Sequence, residues 1–218
     1  MKSLVLGAGE VGRAMYAILA EHYDTEIIDK DSRAESSFEI LHVCFPYSEE
    51  FVSEVKKYQK KYSPKHTVIH ATVPVGTSRE CDAIHSPIRG LHPDLVPGIK
   101  TFVKFLGGER ASGVADYFRR AGLKVVLFDD QETTEAGKLF DTEYYRVCIE
   151  FAHRVKQYCD KHKLNFSEVY RIFNQTYNEG YELLGHKEFV RPILEPIMKE
   201  IGGHCVLSNK ELIKLSEQ

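Results

Sequence analysis

Several residues in this 218-residue chain have the types and spacing that chemistry requires. Gly7, Gly9 and Gly12 stand in "GAGEVG", directly behind the apolar run "SLVL". That spacing puts the first glycine at the tight turn out of a strand and the second where backbone can approach a pyrophosphate. The third sits where a helix must pack closely on the strand, with its N-terminal N–H groups facing the phosphate. Glu10 and Val11 complete the turn. Asp29 ends the next apolar run, "TEIID", at the distance from which an acid reaches adenosine ribose hydroxyls. No arginine adjoins Asp29, which favours NAD; Lys30 and Arg33 leave NADP open. Cys205 lies in "GGHCVLSNKEL" (202–212), a flexible small-residue setting that suits a thiol meeting a substrate. His204 beside it could depress the thiol pKa. Lys138 shares a helical face with Glu135, Thr142 and Tyr145 by steps of three and four; its position alone reads as a solvated surface lysine.

The elements that must hold these residues alternate. Buried strands are predicted at "SLVL" (3–6), "TEIID" (to Asp29), "ILHVCF" (40–45), "TVIHAT" (67–72), "FVKFLGG" and "KVVLF". Helices are predicted near 11–23, 49–62 and 111–121. Alternation of this kind implies a doubly wound parallel sheet of the Rossmann kind with right-handed crossovers, over residues 1–130. Residues 131–218 read as a helical segment. Phe140, Tyr144, Cys148, Phe151, Val155 and Cys159 fall on one stripe of a single long helix, about 133–162. The stripe is too long for the sheet domain to cover, so a homodimer built on this helix is expected. A second helix follows at 166–175, with Ser167 as candidate cap.

Bulk properties exclude several classes. With 29 basic and 32 acidic residues the net charge is −3, and no basic tract suits nucleic acid. The apolar N-terminal stretch is too short for a signal peptide or a membrane span. Five cysteines with no CxxC pair argue against a disulfide framework and for a reducing, cytoplasmic setting. Cys44, Cys81, Cys148 and Cys159 read as core or helix-face residues. His70, His85 and His92 lack tight ligand spacing, so no metal site is expected.

Three stretches together resemble the UDP-glucose/GDP-mannose dehydrogenase family. "HATVPVGTS" (70–78) is similar to its Ser-Thr-Val-Pro-Val-Gly-Thr strand end. "EAGKLFDTEYYRVCIEFAHRV" resembles its Glu-x-x-Lys-Leu helix opening, and "GGHCVLSNKEL" its catalytic Gly-Gly-His-Cys loop. The resemblance runs from Lys2 to about Leu212. It implies oxidation of a sugar primary alcohol to an acid by two NAD, a small-molecule substrate of the nucleotide-sugar class, and Cys205 as nucleophile through a thiohemiacetal and a thioester. It further implies that Lys138 stabilises charge on the reacting oxygen. By the same resemblance, Thr72 is expected to hold water near the reaction centre and to border the cofactor.

Departures stand beside these matches. Thr142 occupies the family's asparagine position, Asn209 its aspartate position, and Asp94, in "HPDLVPG", replaces the glutamate of its Ser-Pro-Glu loop. A neutral amide at 209 cannot act as a base. The segment after Asp29 reads as trimmed. The family's second nucleotide-binding domain, which would follow the cysteine loop, is expected to be missing, which would weaken the grip on a nucleotide sugar. Alternatives remain: an NAD-binding module whose dehydrogenase activity is impaired or lost, a nucleotide-sensing domain of the potassium-uptake type, and a β-hydroxyacid dehydrogenase variant of the enzyme reading.

Overall fold

The computed structural model describes residues 1–29, 32, 34, 37–196 and 204–217, and for 204–208 the backbone alone. Two compact units result: Met1–Leu139 with Leu212–Gln218, and Phe140–Glu211.

The first unit is built on a seven-stranded sheet: β1 (Lys2–Leu6), β2 (Asp24–Ile28), β3 (Ile40–Val43), β4 (His66–Ile69), β5 (Ile84–His85), β6 (Lys104–Gly107) and β7 (Val125–Phe128). Their spatial order is β2-β1-β3-β4-β5-β6-β7. Helices α1 (Glu10–Ala20), α2 (Phe51–Tyr62), α3 (Thr77–Glu80), α4 (Leu95–Thr101) and α5 (Ser112–Arg120) flank it. Side chains alternate across the sheet. Val5, Ile40 and Val68 meet α1, α4 and α5 on one face, while Leu4, Leu6, Leu41, Val43 and Ile69 pack toward α2 on the other. Both faces are covered, which is why the strands read as continuous apolar runs.

The doubly wound, mostly parallel sheet expected from the sequence is present, with one departure. β1 to β5 are parallel, but β6 pairs antiparallel with β5, and β7 follows β6 in parallel. The helix before β6, α4, spans only seven residues, about 10 Å, and packs on α1 instead of carrying the chain back along the sheet. β6 therefore enters from the opposite end.

The core of this unit also holds a polar chain. His42 and His70 join through Nδ1 and Nε2 at 3.0 Å, and His42 Nε2 lies 3.1 Å from the Tyr117 hydroxyl. Tyr117 donates to Ser3 Oγ at 3.0 Å. Lys104 Nζ donates to the Ser86 carbonyl at 3.1 Å and lies 3.2 Å from His70 Nδ1. Lys104 is 4% exposed, and burial lowers its pKa to about 7. Burial, with the Lys104 charge, holds His42 down at about 3 and His70 well below the usual histidine value.

A 32-residue helix, α6 (Gln131–His162), begins in the first unit and continues into the second. In the second unit it buries Ile149, Ala152 and Cys159 and exposes Phe140, Tyr144, Phe151 and Tyr158. A π-helical turn (Ser167–Ile172) leads into α7 (Phe173–Leu183). Its cap is Asn165, whose Oδ1 accepts the Ser167 N–H at 2.9 Å, and not Ser167 as the sequence suggests. Asn178 then ties the following segment to α7 by exchanging two hydrogen bonds, both 2.9 Å, with the Arg191 backbone. The last helix is α8 (His204–Ser216).

Candidate functional site

The glycine turn lies at the carboxyl end of β1, beside the switch point where the strand order reverses between β1 and β3. Gly7 has φ +99°, and a Cβ there would meet the Phe45 backbone nitrogen at 3.0 Å. At Gly12 a Cβ would run into the Gly7 carbonyl oxygen, so helix and strand touch there without room for a side chain. Gly9 differs: it is the N-cap of α1, and a Cβ would meet nothing within 4 Å. Open space above an uncapped helix N-terminus is what an incoming pyrophosphate requires. Val11 packs against the core, and Glu10 projects from the first turn. The register Leu6↔Ile28 sets Asp29, exposed at the end of β2, next to Gly7, whose N–H donates to the Ile28 carbonyl at 2.9 Å. Lys30 and Arg33 lie outside the described residues, so the residues that bear on NADP are not placed.

His92 Nδ1 contacts Glu10 Oε1 at 2.8 Å and brings the loop containing Asp94 against the start of α1. Asp94 itself is exposed and is the N-cap residue of α4, with no capping bond from its side chain.

The Thr72–Ser78 stretch leaves β4 and is fastened to α6. Glu135 is fully buried, and its carboxylate accepts the Gly76 N–H at 2.7 Å and the Ser78 N–H at 2.8 Å. It thereby caps α3, whose N-cap, Gly76, has φ +95°. Burial raises the Glu135 pKa, while the Ser78 and Gly76 bonds pull the other way. His85 completes the fastening: Nδ1 lies 2.9 Å from Thr134 Oγ1, and Nε2 is 3.2 Å from the Ala71 carbonyl. Burial drives His85 to about 3, with Lys104 and Lys138 pushing the same way, so it is a neutral ring that donates to Ala71. Two stretches separated by sixty residues thus meet: the half-buried Thr72 follows Ala71, and the half-buried Lys138 stands one turn beyond Glu135.

Thr142 lies on the next turn of α6, half-buried, in the second unit. Asn209, on α8, is buried, at 3% exposure. The expected loop around Cys205 is shorter than the sequence implied: α8 begins at His204, because "HCVLSNKEL" contains no helix breaker once the glycines are passed. Gly202 and Gly203 lie outside the described residues, as does the Cys205 side chain. Of the other cysteines, Cys44, Cys81 and Cys159 are buried and Cys148 is half-buried. Burial pushes Cys44 and Cys81 up to about 12.

Among the described residues no three His, Cys, Asp or Glu side chains converge to hold a metal, and no helix is long and apolar enough to cross a membrane. Reading from sequence missed Glu135 as the clamp, His85 as its companion and the His92–Glu10 contact. Only Glu135 left a signal, its three-residue spacing from Lys138.

No protein-family model matches the chain, and no curated protein does. Solved structures do. The UDP-D-ManNAc dehydrogenase of Pyrococcus horikoshii superposes with a TM-score of 0.78 at 15% identity, over 100% of this chain and 65% of that one. The GDP-mannose dehydrogenase of Pseudomonas aeruginosa gives 0.68 at 12% identity, over 88% and 60%. The 3-hydroxyisobutyrate dehydrogenase of Mycobacterium tuberculosis gives 0.64 at 14% identity, over 80% and 70%. The chain therefore spans about two thirds of the length of these proteins, and over that length it has the fold shared by the UDP-sugar and GDP-mannose dehydrogenases.

Proposed function

We propose that the chain binds NAD and oxidises an alcohol of the sugar type, in the manner of the dehydrogenases whose fold it shares. The observation that carries this reading is the Glu135 clamp, which fixes the Thr72–Ser78 loop to the helix bearing Lys138. A solvated surface lysine would need no such anchorage. The glycine turn fits a dinucleotide: Gly9 leaves room for the pyrophosphate at the start of α1, and Asp29 stands where ribose hydroxyls would lie. NAD held there supplies the hydride acceptor. Lys138 balances negative charge on the reacting oxygen, and Thr72 orients water. Cys205 adds to the aldehyde carbon as thiolate to form a thiohemiacetal. Its hydride passes to a second NAD at the same turn, leaving a thioester that water hydrolyses to the acid and the free thiol. The place of Cys205 in the first turn of α8, where backbone N–H groups favour an anion, supports a reactive thiol. Residues 131–218 act as substrate and dimerisation segment, with a homodimer on the exposed side of α6; the free cysteines support a cytoplasmic setting.

The buried Asn209 favours a second reading. A neutral amide in that position cannot assist hydrolysis, so the chain would bind NAD with weak turnover or none, as a binding or regulatory module. Formation of NADH with a panel of nucleotide sugars and hydroxyacids separates the two. The enzyme reading expects turnover that Lys138→Ala reduces at least 100-fold with NAD binding intact. Turnover unaffected by Lys138→Ala would overturn Lys138's role, and NAD binding without any turnover would transfer support to the module.

A further inference from the structure

Among the described residues the sheet has two edge strands, and they differ in kind. β2 carries Asp24 and Glu26, with Lys2 of the neighbouring strand paired to both, the charged arrangement that keeps an edge from recruiting another strand. β7 is Val125-Val126-Leu127-Phe128, with neither charge nor proline. Val126 is 43% and Leu127 42% exposed. Among the described residues β7 pairs only with β6.

The hydrogen bonds to β6 show which backbone groups are left. Lys104 N–H donates to the Lys124 carbonyl at 2.7 Å and Gly108 N–H to the Phe128 carbonyl at 3.1 Å. Even-numbered residues therefore face β6, and alternation turns the N–H and C=O of Val125 and Leu127 outward. An added strand must pair with those two.

Charge then selects the partner. Lys124 precedes the apolar run, and Asp129 and Asp130 follow it. Parallel addition of a like strand would set Lys124 beside Lys124 and the aspartates beside one another. Antiparallel addition inverts this. Outward residues must pair with outward residues, so a two-fold axis must lie on a residue, and Leu127 and Val126 give the greatest overlap of the two strands. At Leu127, Lys124 comes opposite Asp130 at both ends, just past the strand, where the Asp130 carboxylate also accepts the Thr133 N–H at 2.6 Å, and Val126 faces Phe128. At Val126, Lys124 would face Phe128 and Asp129 would face the buried Leu123.

We propose that β7 is a self-complementary edge on which a second copy of this chain adds antiparallel, about a two-fold axis at Leu127, joining two seven-stranded sheets into one. The contact is separate from a dimer built on α6. Four residues a side make an interface well below the roughly 1,600 Å² of a stable complex, so this association is weak and concentration-dependent.

Cysteine cross-linking tests both contact and register. In a hydrogen-bonded antiparallel pair the opposed Cα atoms are about 5.5 Å apart, within disulfide range. Leu127→Cys should form an inter-chain disulfide under mild oxidation at least tenfold faster than Val126→Cys, whose two copies would sit two residues out of step, and faster than the wild-type cysteines. Leu127→Pro removes only an outward N–H and should abolish self-association through this edge with the circular dichroism spectrum unchanged. A Leu127→Cys protein that cross-links no faster than Val126→Cys overturns the proposal, and so does one that stays unlinked because another protein covers the edge. An α6 dimer would alter neither ratio.

Discussion

The buried ammonium of Lys104 should leave a measurable mark on stability. Its folded pKa is about 7 against an ordinary 10.5. Below pH 7 both states carry the proton. Between 7 and 10.5 the unfolded chain holds a proton that the folded chain has released, so stability rises with pH across that window. Integrating from pH 7 to 9 gives a gain of about 2 kcal/mol. Above 9 the trend reverses, since Cys44 and Cys81, pushed up to about 12, keep protons that the unfolded chain loses. Urea titrations at half-unit steps would trace a maximum near pH 9. Lys104→Met removes the buried charge; His70 still occupies the Ser86 carbonyl through Nδ1 at 2.9 Å. The variant should be more stable than wild type at pH 7 by about 2 kcal/mol, a desolvation gain reduced by one lost hydrogen bond. It should also lack the rise between 7 and 9. A wild-type profile that is flat across that interval would refute the reasoning, and a variant retaining the rise would assign it to another group.

Other consequences follow from the same geometry. Gly9→Ala should fold normally, since its Cβ meets open space, yet weaken NAD at least tenfold in calorimetry, whereas Gly12→Ala should lose about 1–3 kcal/mol of stability by overpacking against Gly7. Glu135→Ala strands the buried Ser78 N–H and the half-buried Gly76 N–H and should cost about 2–4 kcal/mol, with Glu135→Gln recovering part of it, read from urea midpoints. In limited alkylation near neutral pH followed by mass spectrometry, Cys205 should label faster than Cys44, Cys81, Cys148 and Cys159.

The glycine turn and the long helix were legible because each is a local pattern. "GAGEVG" needs only its flanking strand and helix, and an apolar stripe of three-and-four steps needs only its own length. β5 was not legible: two residues carry no periodicity. The reversal of β6 and β7 was hidden for a different reason, since strand direction depends on where α4 packs and not on what the strands contain. Glu135 looked like one acid among several on a helix face; only the fold brings the Gly76 and Ser78 N–H groups to it. Lys104, flanked by apolar residues in "FVKFLGG", has the alternation of a strand residue facing water. Its burial follows from α5 closing over that face, with Phe118 lying 5.6 Å from the ammonium.

The turn at Gly7–Gly12, with Asp29 beside it, is the proposed seat of NAD. Calorimetric titration of the purified protein with NAD and NADP, repeated on Asp29→Ala, tests it most directly. Saturable binding of NAD below millimolar concentration, tighter than NADP, with Asp29→Ala weakening NAD more than NADP, is the predicted result. No heat with millimolar NAD, from a protein that is folded by circular dichroism, would contradict it.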